Sequence, residues 1–460
     1  MTHDDPDAEG TAEPGGATAV SAGPRSAQGT DAPRPRRRWG DLWSNGDFMK
    51  FWVGETVSLF GSQVTALALP LTAILVLDVS PNQLGLLRFL EYIPFLLFTL
   101  VFGVWVDRRK RRPIMLVANA ARCVLVGLVP VLAITDTLNM NLLYLVTFAV
   151  GVFTVLFDLC WLSLVPTIVP KDQLIEGNSK VATSASAADV AGPGIAGVLV
   201  NLVGAPKALA ADALSYVVSF VFLLTIKQPE FPPPPAQRRA LRKEIGEGLS
   251  LIVRERYLLA TAAYGATWNF AVMMNETIFL LYAARELHYG PGLIGVIFAI
   301  GAIGGVLGSV VASMVSRRFP FGRVVSVAAM VATVPAYLFP LADGPTVVMV
   351  TMFIAAFFLL RAGIGVSNVL TITLRQTVTP NHMLGRMNAS MRMILFGIGP
   401  LGAIVGGVLG TSVGLRPTLW VAATVFVLSL VPLLASSIPR LLALPDPPEE
   451  DLTPAVATDR

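Results

Sequence analysis

The sequence predicts an all-α polytopic membrane protein of twelve transmembrane helices, set as two six-helix bundles around a central cavity. Three observations predict it. The 460-residue chain is 54% hydrophobic and only 14% charged, with a mean hydropathy of +0.67, whereas an ordinary soluble domain carries about 25% charged residues. Its apolar runs recur at the roughly 20-residue length that crosses about 30 Å of hydrocarbon. Its second half also repeats its first. A shift of 210 residues superposes Gly85 on Gly295, Pro170 on Pro380, Leu174 on Leu384, Asn178 on Asn388 and Gly204 on Gly414, and Gly197, Val198 and Leu199 on Gly407, Val408 and Leu409. Six helices repeated in one orientation imply a two-fold axis along the membrane normal.

Residues 1–48 are rich in Pro, Gly, Ala and Ser. They carry neither the basic start nor the apolar core of a cleaved signal peptide and read as a disordered cytoplasmic tail. The first bundle, 49–226, holds spans near 50–77, 82–106, 113–135, 140–168, 173–202 and 206–226. A linker, 227–256, opens with four prolines at 232–235 and continues as a basic, partly amphipathic stretch. Its helix is expected either along the inner membrane surface or as a solvated connector. The second bundle, 257–437, holds spans near 257–284, 291–316, 321–342, 345–372, 383–411 and 415–436, and 438–460 is a second cytoplasmic tail.

Loop charge sets the orientation. One alternate set of loops carries Arg34 and 36–38, the basic run 108–112, Arg238, Arg239, Arg242 and Lys243, and Arg317, Arg318 and Arg323. The other set has only Lys207, Arg285 and Arg416. The positive-inside rule puts both termini in the cytoplasm and the chain in the inner membrane. The net charge of +4 is therefore a topology signal, and no nucleic-acid partner is expected.

Several classes of chemistry are excluded. Cys123 and Cys160 sit inside apolar runs and read as buried packing residues, while the three histidines, His3, His288 and His382, are scattered. That leaves no metal site, no cofactor and no catalytic constellation to expect. No GxxxxGK[ST] motif occurs, so the chain has no ATPase of its own. The expected partners are the lipid bilayer, a small-molecule substrate and protons, on a monomer.

Two motifs carry a mechanism. After span 2 the chain reads Gly103-Val-Trp-Val-Asp107-Arg108-Arg-Lys-Arg111-Arg112. There a small residue permits close helix approach, Asp107 can face a helix N-terminus, and the arginines bind acidic partners. Together they form a candidate cytoplasmic gate. Its counterpart in the second half keeps Ala312, Ser316, Arg317 and Arg323 but not the acid. Span 5 contains Gly192, Pro193 and Gly197, and span 11 contains Gly399 and Pro400. Glycine thins a helix and proline removes a backbone bond, giving a close-packed, bendable seam.

On these residues the sequence resembles the major facilitator superfamily across all twelve helices. The span 2 loop is similar to the GxxxDRxGRR signature, with Lys110 at the second glycine, and the span 5 element is similar to the antiporter motif of exporters. PTIVPKDQLIEGNSK, the glycine–proline element, Gly204, Asp212 and LSYVVSF resemble the enterobactin and macrolide exporter branch, as does FMKFWVGETVSLFGS in span 1. The resemblance implies efflux of a drug-, macrolide- or siderophore-like molecule by proton antiport. It also implies that spans 1, 4, 7 and 10 line the cavity. The span 4 arginine of many proton-coupled drug antiporters is missing, and Asp158 is the charge there.

A charge at mid-membrane costs about 2.5 to 3.5 kcal/mol on insertion scales, so each must face a partner, water or substrate. The four cavity-lining spans each carry one: Glu55, Asp158, Glu276 and Arg361. Glu276 and Asp158 are the expected exchangeable carboxylates, Glu55 a secondary one, and Arg361 the charge partner. Trp161, Trp268, Phe270, Phe357 and Phe358 offer stacking surface. Arg122, Asp158 and Arg361 fall at a common depth of about 15 to 18 Å, at about 1.5 Å per residue, where they can pair. Arg88 and Glu91 are three apart and read as a local ion pair. Asp189 is a further buried charge, and Asp212, near the outer end of span 6, reads as solvated or capping. Polar stripes at Glu55, Ser58, Ser62, Thr65 and Thr72, and at Thr147, Thr154 and Asp158, are expected to face something polar. A proton symporter importing a nutrient, a gradient-independent facilitator and a non-transporting sensor or scaffold stand as alternatives.

Overall fold

The computed structural model describes residues 41–106, 108–227 and 241–446. The tail 1–40, the gate residue Asp107, the proline-rich opening of the linker (228–240) and 447–460 lie outside the described residues. The first half comprises α1 (Gly46–Leu75), α2 (Pro81–Val106), α3 (Arg111–Ile134), α4 (Met140–Ile168), α5 (Leu174–Val203) and α6 (Ala205–Thr225). A linker helix α7 (Leu241–Arg254) leads to α8 (Arg256–Leu281), α9 (Pro291–Arg318), α10 (Phe321–Val331), α11 (Leu338–Leu341) and α12 (Thr346–Thr377). The chain ends in α13 (Leu384–Ser412), α14 (Leu415–Leu428) and α15 (Leu430–Leu434). With α10–α11 and α14–α15 each taken as one passage and the linker helix α7 set aside, twelve helical passages run through the described residues, and no strand occurs among them. Ten are long and apolar enough to cross a membrane. The other two, α2 and α8, are 26 residues each, and α8 carries Asn269, Asn275 and Glu276 along its length.

Local chemistry sets the helix starts. Asn45 Oδ1 accepts from the Phe48 N–H at 3.1 Å and Asn139 Oδ1 from the Leu142 N–H at 3.0 Å, as N-caps do. Ser80 and Gln83 cap α2 reciprocally: Gln83 Oε1 accepts from the Ser80 N–H at 2.9 Å and Ser80 Oγ from the Gln83 N–H at 3.4 Å. The sequence repeat reappears in the backbone. Gly204 and Gly414, at φ +86° and +94°, each turn the chain into the last long passage of their half, a conformation that favours glycine. Pro170 and Pro380, at φ −56° and −55°, each precede a single 3₁₀ turn before α5 and α13.

Two passages differ from the continuous spans expected at 321–342 and 415–436. The first breaks after Val331 into a 3₁₀ turn at Val334–Tyr337, because Pro335 has no N–H to continue the ladder. The second is interrupted at Ser429, whose hydroxyl donates to the Phe426 carbonyl at 2.6 Å. The linker helix docks on α13, burying Ile252 in a cluster with Leu258, Ala262, Met387 and Met391, and Glu247 pairs with Arg386 at 2.6 Å. Val253, on another side of the helix, is exposed.

The halves pack as one compact unit along two seams, α2 against α13 and α5 against α9. A Cβ on Gly85 would stand 2.5 Å from the Ala403 carbonyl oxygen and 3.1 Å from Gly407 Cα, and one on Gly197 would stand 2.7 Å from the Pro291 carbonyl oxygen and 3.0 Å from Gly295 Cα. Both seams are therefore glycine-on-glycine, and the repeat carries one contacting pair, Gly85 and Gly407, onto the other, Gly295 and Gly197. Asn45 Nδ2 donates to the Ile168 carbonyl at 3.0 Å, which puts the start of α1 beside the end of α4 on what is here termed the near face. The glycine seams sit at the far face, where Asp78 pairs with Arg285 and the Asn82 N–H donates to Thr411 Oγ1 at 3.2 Å.

Candidate functional site

A cavity of about 480 Å³ lies between the halves, a size that suits a small organic molecule. Gln63 of α1, Arg88 and Tyr92 of α2 and Asp189 of α5 line one wall, and Glu276 of α8 with Phe357, Arg361 and Asn368 of α12 line the other. Arg361 Nη2 donates to Glu276 Oε1 at 2.7 Å, with the two side chains 44% and 24% exposed, so the pair is open to the cavity. Gln63 Nε2 donates to Asp189 Oδ1 at 2.7 Å, and Arg361 acts electrostatically on Asp189 as well. One guanidinium thus bonds a carboxylate of its own half and lies within electrostatic reach of one from the other half. Arg88 holds Glu91 at 2.9 Å, the expected local pair, and also donates to the Ala66 carbonyl at 3.4 Å.

Glu55, Arg122, Asp158 and Asp212, all of the first half, do not line this cavity. Arg122 is buried; its Nη2 donates to Asn119 Oδ1, and its guanidinium lies 4.1 Å over the Phe157 ring and 4.5 Å over Tyr216, geometry suited to cation–π attraction. Asn119 Nδ2 in turn donates to Ser219 Oγ at 2.9 Å. Arg122 acts electrostatically on Glu55, Asp158 and Asp212. Glu55 Oε2 is buried without a hydrogen-bond donor among the described residues. The expected pairing of Arg122, Asp158 and Arg361 is therefore divided: Arg361 pairs with Glu276, whereas Asp158 lies within the electrostatic reach of Arg122 and, from α13, of Arg392.

Asp212 is neither solvated nor a cap. It is fully buried and accepts from Thr65 Oγ1 and, at 3.0 Å, from Ser215 Oγ. The α1 stripe is explained in part by this contact, since Thr65 and Ser62 face Asp212 and Tyr216 of α6, while Gln63, Ala66 and Leu67 are the α1 residues that line the cavity. On α4, Thr147 and Thr154 bond back to their own helix, to the Leu143 and Val150 carbonyls at 2.7 and 2.8 Å. They need no external polar partner.

Of the aromatics, Trp268 lines a smaller cavity that shares Ile364 and Asn368 with the central one. Trp268 is 8% exposed, donates its indole N–H to the Ala332 carbonyl at 3.0 Å and sits edge-on to Phe426. Phe357 lines the cavity from within a cluster with Phe279, Phe298 and Phe339. Trp161 packs at the edge of the first half's core.

The basic loop also differs from expectation. A Cβ on Gly103 would meet nothing within 4 Å, so no close helix approach occurs there. Arg112 donates to the Leu223 and Leu224 carbonyls at 2.8 and 2.7 Å, satisfying the end of α6, and Arg108 is exposed. In the glycine–proline elements, α5 and α13 run unbroken through Pro193 and Pro400. A Cβ on Gly192 would come within 2.5 Å of the Gln63 side chain, whereas one on Gly399 would make ordinary contact with Met273 at 3.4 Å. Sequence reasoning missed Gln63, Tyr92, Asn368 and the Asp78–Arg285 pair. A lone glutamine or asparagine in an apolar run was the available signal for two of them.

The chain matches the sequence model of the Major Facilitator Superfamily over residues 51–400 and again over 275–458. It belongs to the major facilitator superfamily. As a member it is a multi-pass membrane transporter. It is similar to the enterobactin exporter EntS of Salmonella typhimurium, 25% identical over 346 residues that cover 74% of this chain and 80% of that protein. It is similar as well to the multidrug efflux pump Tap of Mycolicibacterium fortuitum, 25% identical over 340 residues, 71% of this chain and 80% of that one. The solved structure of a nucleoside transporter, NupG, in a mutant form shares the fold, with a TM-score of 0.71 at 11% identity over 85% of this chain and 99% of that one.

Proposed function

We propose that this transporter exports a small organic molecule across the cytoplasmic membrane by proton antiport, its central cavity opening to each face in turn. The observation that carries the reading is the Glu276–Arg361 pair, open to the cavity at 2.7 Å and within electrostatic reach of Asp189. Protonating Glu276 frees the Arg361 guanidinium for Asp189 or for an incoming substrate, and losing that proton restores the pair. A binding event on one wall thereby becomes a protonation event on the other. Glu55 and Asp158, grouped around Arg122, supply a second set of exchangeable carboxylates on the near-face side. The basic loop with Arg108, Arg111 and Arg112 acts as the gate on that side. Export as the direction draws support from the glycine–proline element of α5 and from two relatives named as an exporter and an efflux pump.

The test is in two steps. Deletion and overexpression, followed by drug-susceptibility and exometabolite profiling, identify a compound retained by the deletion strain. Proton-driven uptake of that compound into inverted vesicles is then measured for Glu276→Gln. Loss of gradient-driven uptake with binding retained is the expected result. Full proton-driven uptake by Glu276→Gln refutes the role of this carboxylate, and failure of the deletion to retain any compound refutes export.

A further inference from the structure

The loop that the repeat matches to the basic run 108–112 has lost its acid: the position equivalent to Asp107 is Arg317. Arg317, Arg318 and Arg323 are exposed, and among the described residues no carboxylate pairs with any of them. Arg323 stands at one end of a groove of about 610 Å³ between α9, α10 and α12. The rest of the groove is apolar, with Val311 and Val315 on α9, Phe319 just beyond its end, Val327 and Val331 on α10, and Gly363 on α12. Small residues create it. A Cβ on Gly308 would stand 2.1 Å from the Ala362 carbonyl oxygen, and one on Gly363 would stand 2.3 Å from the Ala332 nitrogen. At both positions α12 meets its neighbours backbone to backbone, and no side chain fills the space between α9 and α10.

The groove faces outward, with Val311 38%, Phe319 50% and Val327 53% exposed, so acyl chains are the material available to fill it. From Phe319 to Leu307 it follows α9 for about 18 Å, at about 1.5 Å per residue. That is close to the roughly 15 Å depth of one leaflet's hydrocarbon. Three guanidiniums without an internal counter-ion sit at its headgroup end, and guanidinium binds phosphate through paired N–H donors. We propose that this groove is a site for one anionic phospholipid, its phosphate on Arg323 with Arg317 and Arg318 beside it, and one acyl chain lying between α9 and α10.

The experiment is native mass spectrometry of the full chain, delipidated in detergent and titrated with phosphatidylglycerol or phosphatidylethanolamine. The native chain is expected to retain one phosphatidylglycerol at least about tenfold more tightly than phosphatidylethanolamine, as juxtamembrane arginines favour anionic headgroups. The double change Arg317→Gln and Arg323→Gln removes that preference. Val327→Trp, which fills the groove and leaves the arginines in place, removes the tight phosphatidylglycerol itself. Lys207→Gln, on a far-face loop, changes neither. Equal retention of the two lipids by the native chain overturns the proposal, as does a tight phosphatidylglycerol still held by folded Val327→Trp.

Discussion

Adding one methyl group to a far-face seam should open the transporter. In Gly197→Ala the new Cβ stands 2.7 Å from the Pro291 carbonyl oxygen and 3.0 Å from Gly295 Cα, where ordinary contact begins at 3.4 Å. Both neighbours are backbone, so α5 and α9 must separate by several tenths of an ångström. Overpacking of this kind costs about 1 to 3 kcal/mol. The penalty applies only where the seam is closed, so it becomes a population shift of about 5- to 150-fold toward the conformer with the far face parted. Gly85→Ala, with its Cβ 2.5 Å from the Ala403 oxygen, should act in the same direction through the α2–α13 seam. The assay is the rate at which a bulky, membrane-impermeant maleimide added from the far face alkylates Ala302→Cys, a cavity-lining position, in a background lacking Cys123 and Cys160. Both alanine variants should accelerate labelling within that range. An unchanged rate in both, with folding intact, refutes the view that these seams close the cavity.

Two further outcomes separate structural from ligand roles. Trp268→Phe removes the donor to the Ala332 carbonyl and should lower stability by about 1 to 3 kcal/mol, read by thermal unfolding in detergent, without changing substrate affinity; weakened binding at unchanged stability would make the indole a ligand contact. Asp212→Asn keeps the shape but turns an amide N–H₂ toward the Thr65 and Ser215 hydroxyls and should cost a similar about 1 to 3 kcal/mol in the same measurement. Unchanged stability would show that the buried carboxylate does not hold α1 to α6.

The twelve passages were legible because hydropathy, loop charge and the repeat each report a long-range property of the chain, and these agree. Breaks at Pro335 and Ser429 were not, since one proline or serine inside an apolar run does not by itself end a helix. At the site, the sequence named Glu276 and Arg361 but could not pair them. Depth along a helix fixes one coordinate, whereas pairing needs the rotation of each helix about its own axis. That rotation decides why Thr65 meets Asp212 while Gln63, two residues earlier on α1, meets Asp189. The same missing coordinate hid the bond from the Trp268 indole to the Ala332 carbonyl at the end of α10. Loop charge carries orientation, but not the bonds Arg112 makes to the carbonyls that end α6.

Helix α1 joins the two polar systems. Its Thr65 side bonds to Asp212 in the first half's interior, and its Gln63 side bonds to Asp189 on the cavity wall. The two residues are about 3 Å apart along the axis, at about 1.5 Å per residue, so neither bond can be displaced far along α1 without moving the other. Glu55 lies about 12 Å nearer the near face on the same helix by the same rise, within the field of Arg122 and Asp158. Under the proposed antiport, a proton exchanged at Glu55 would change the force holding α1 to the interior of its half, and the helix would carry that change to Gln63 and so to Asp189, beside the Arg361–Glu276 pair. Such coupling would need no polar chain between the inner charges and the cavity, because one helix presents a different face to each.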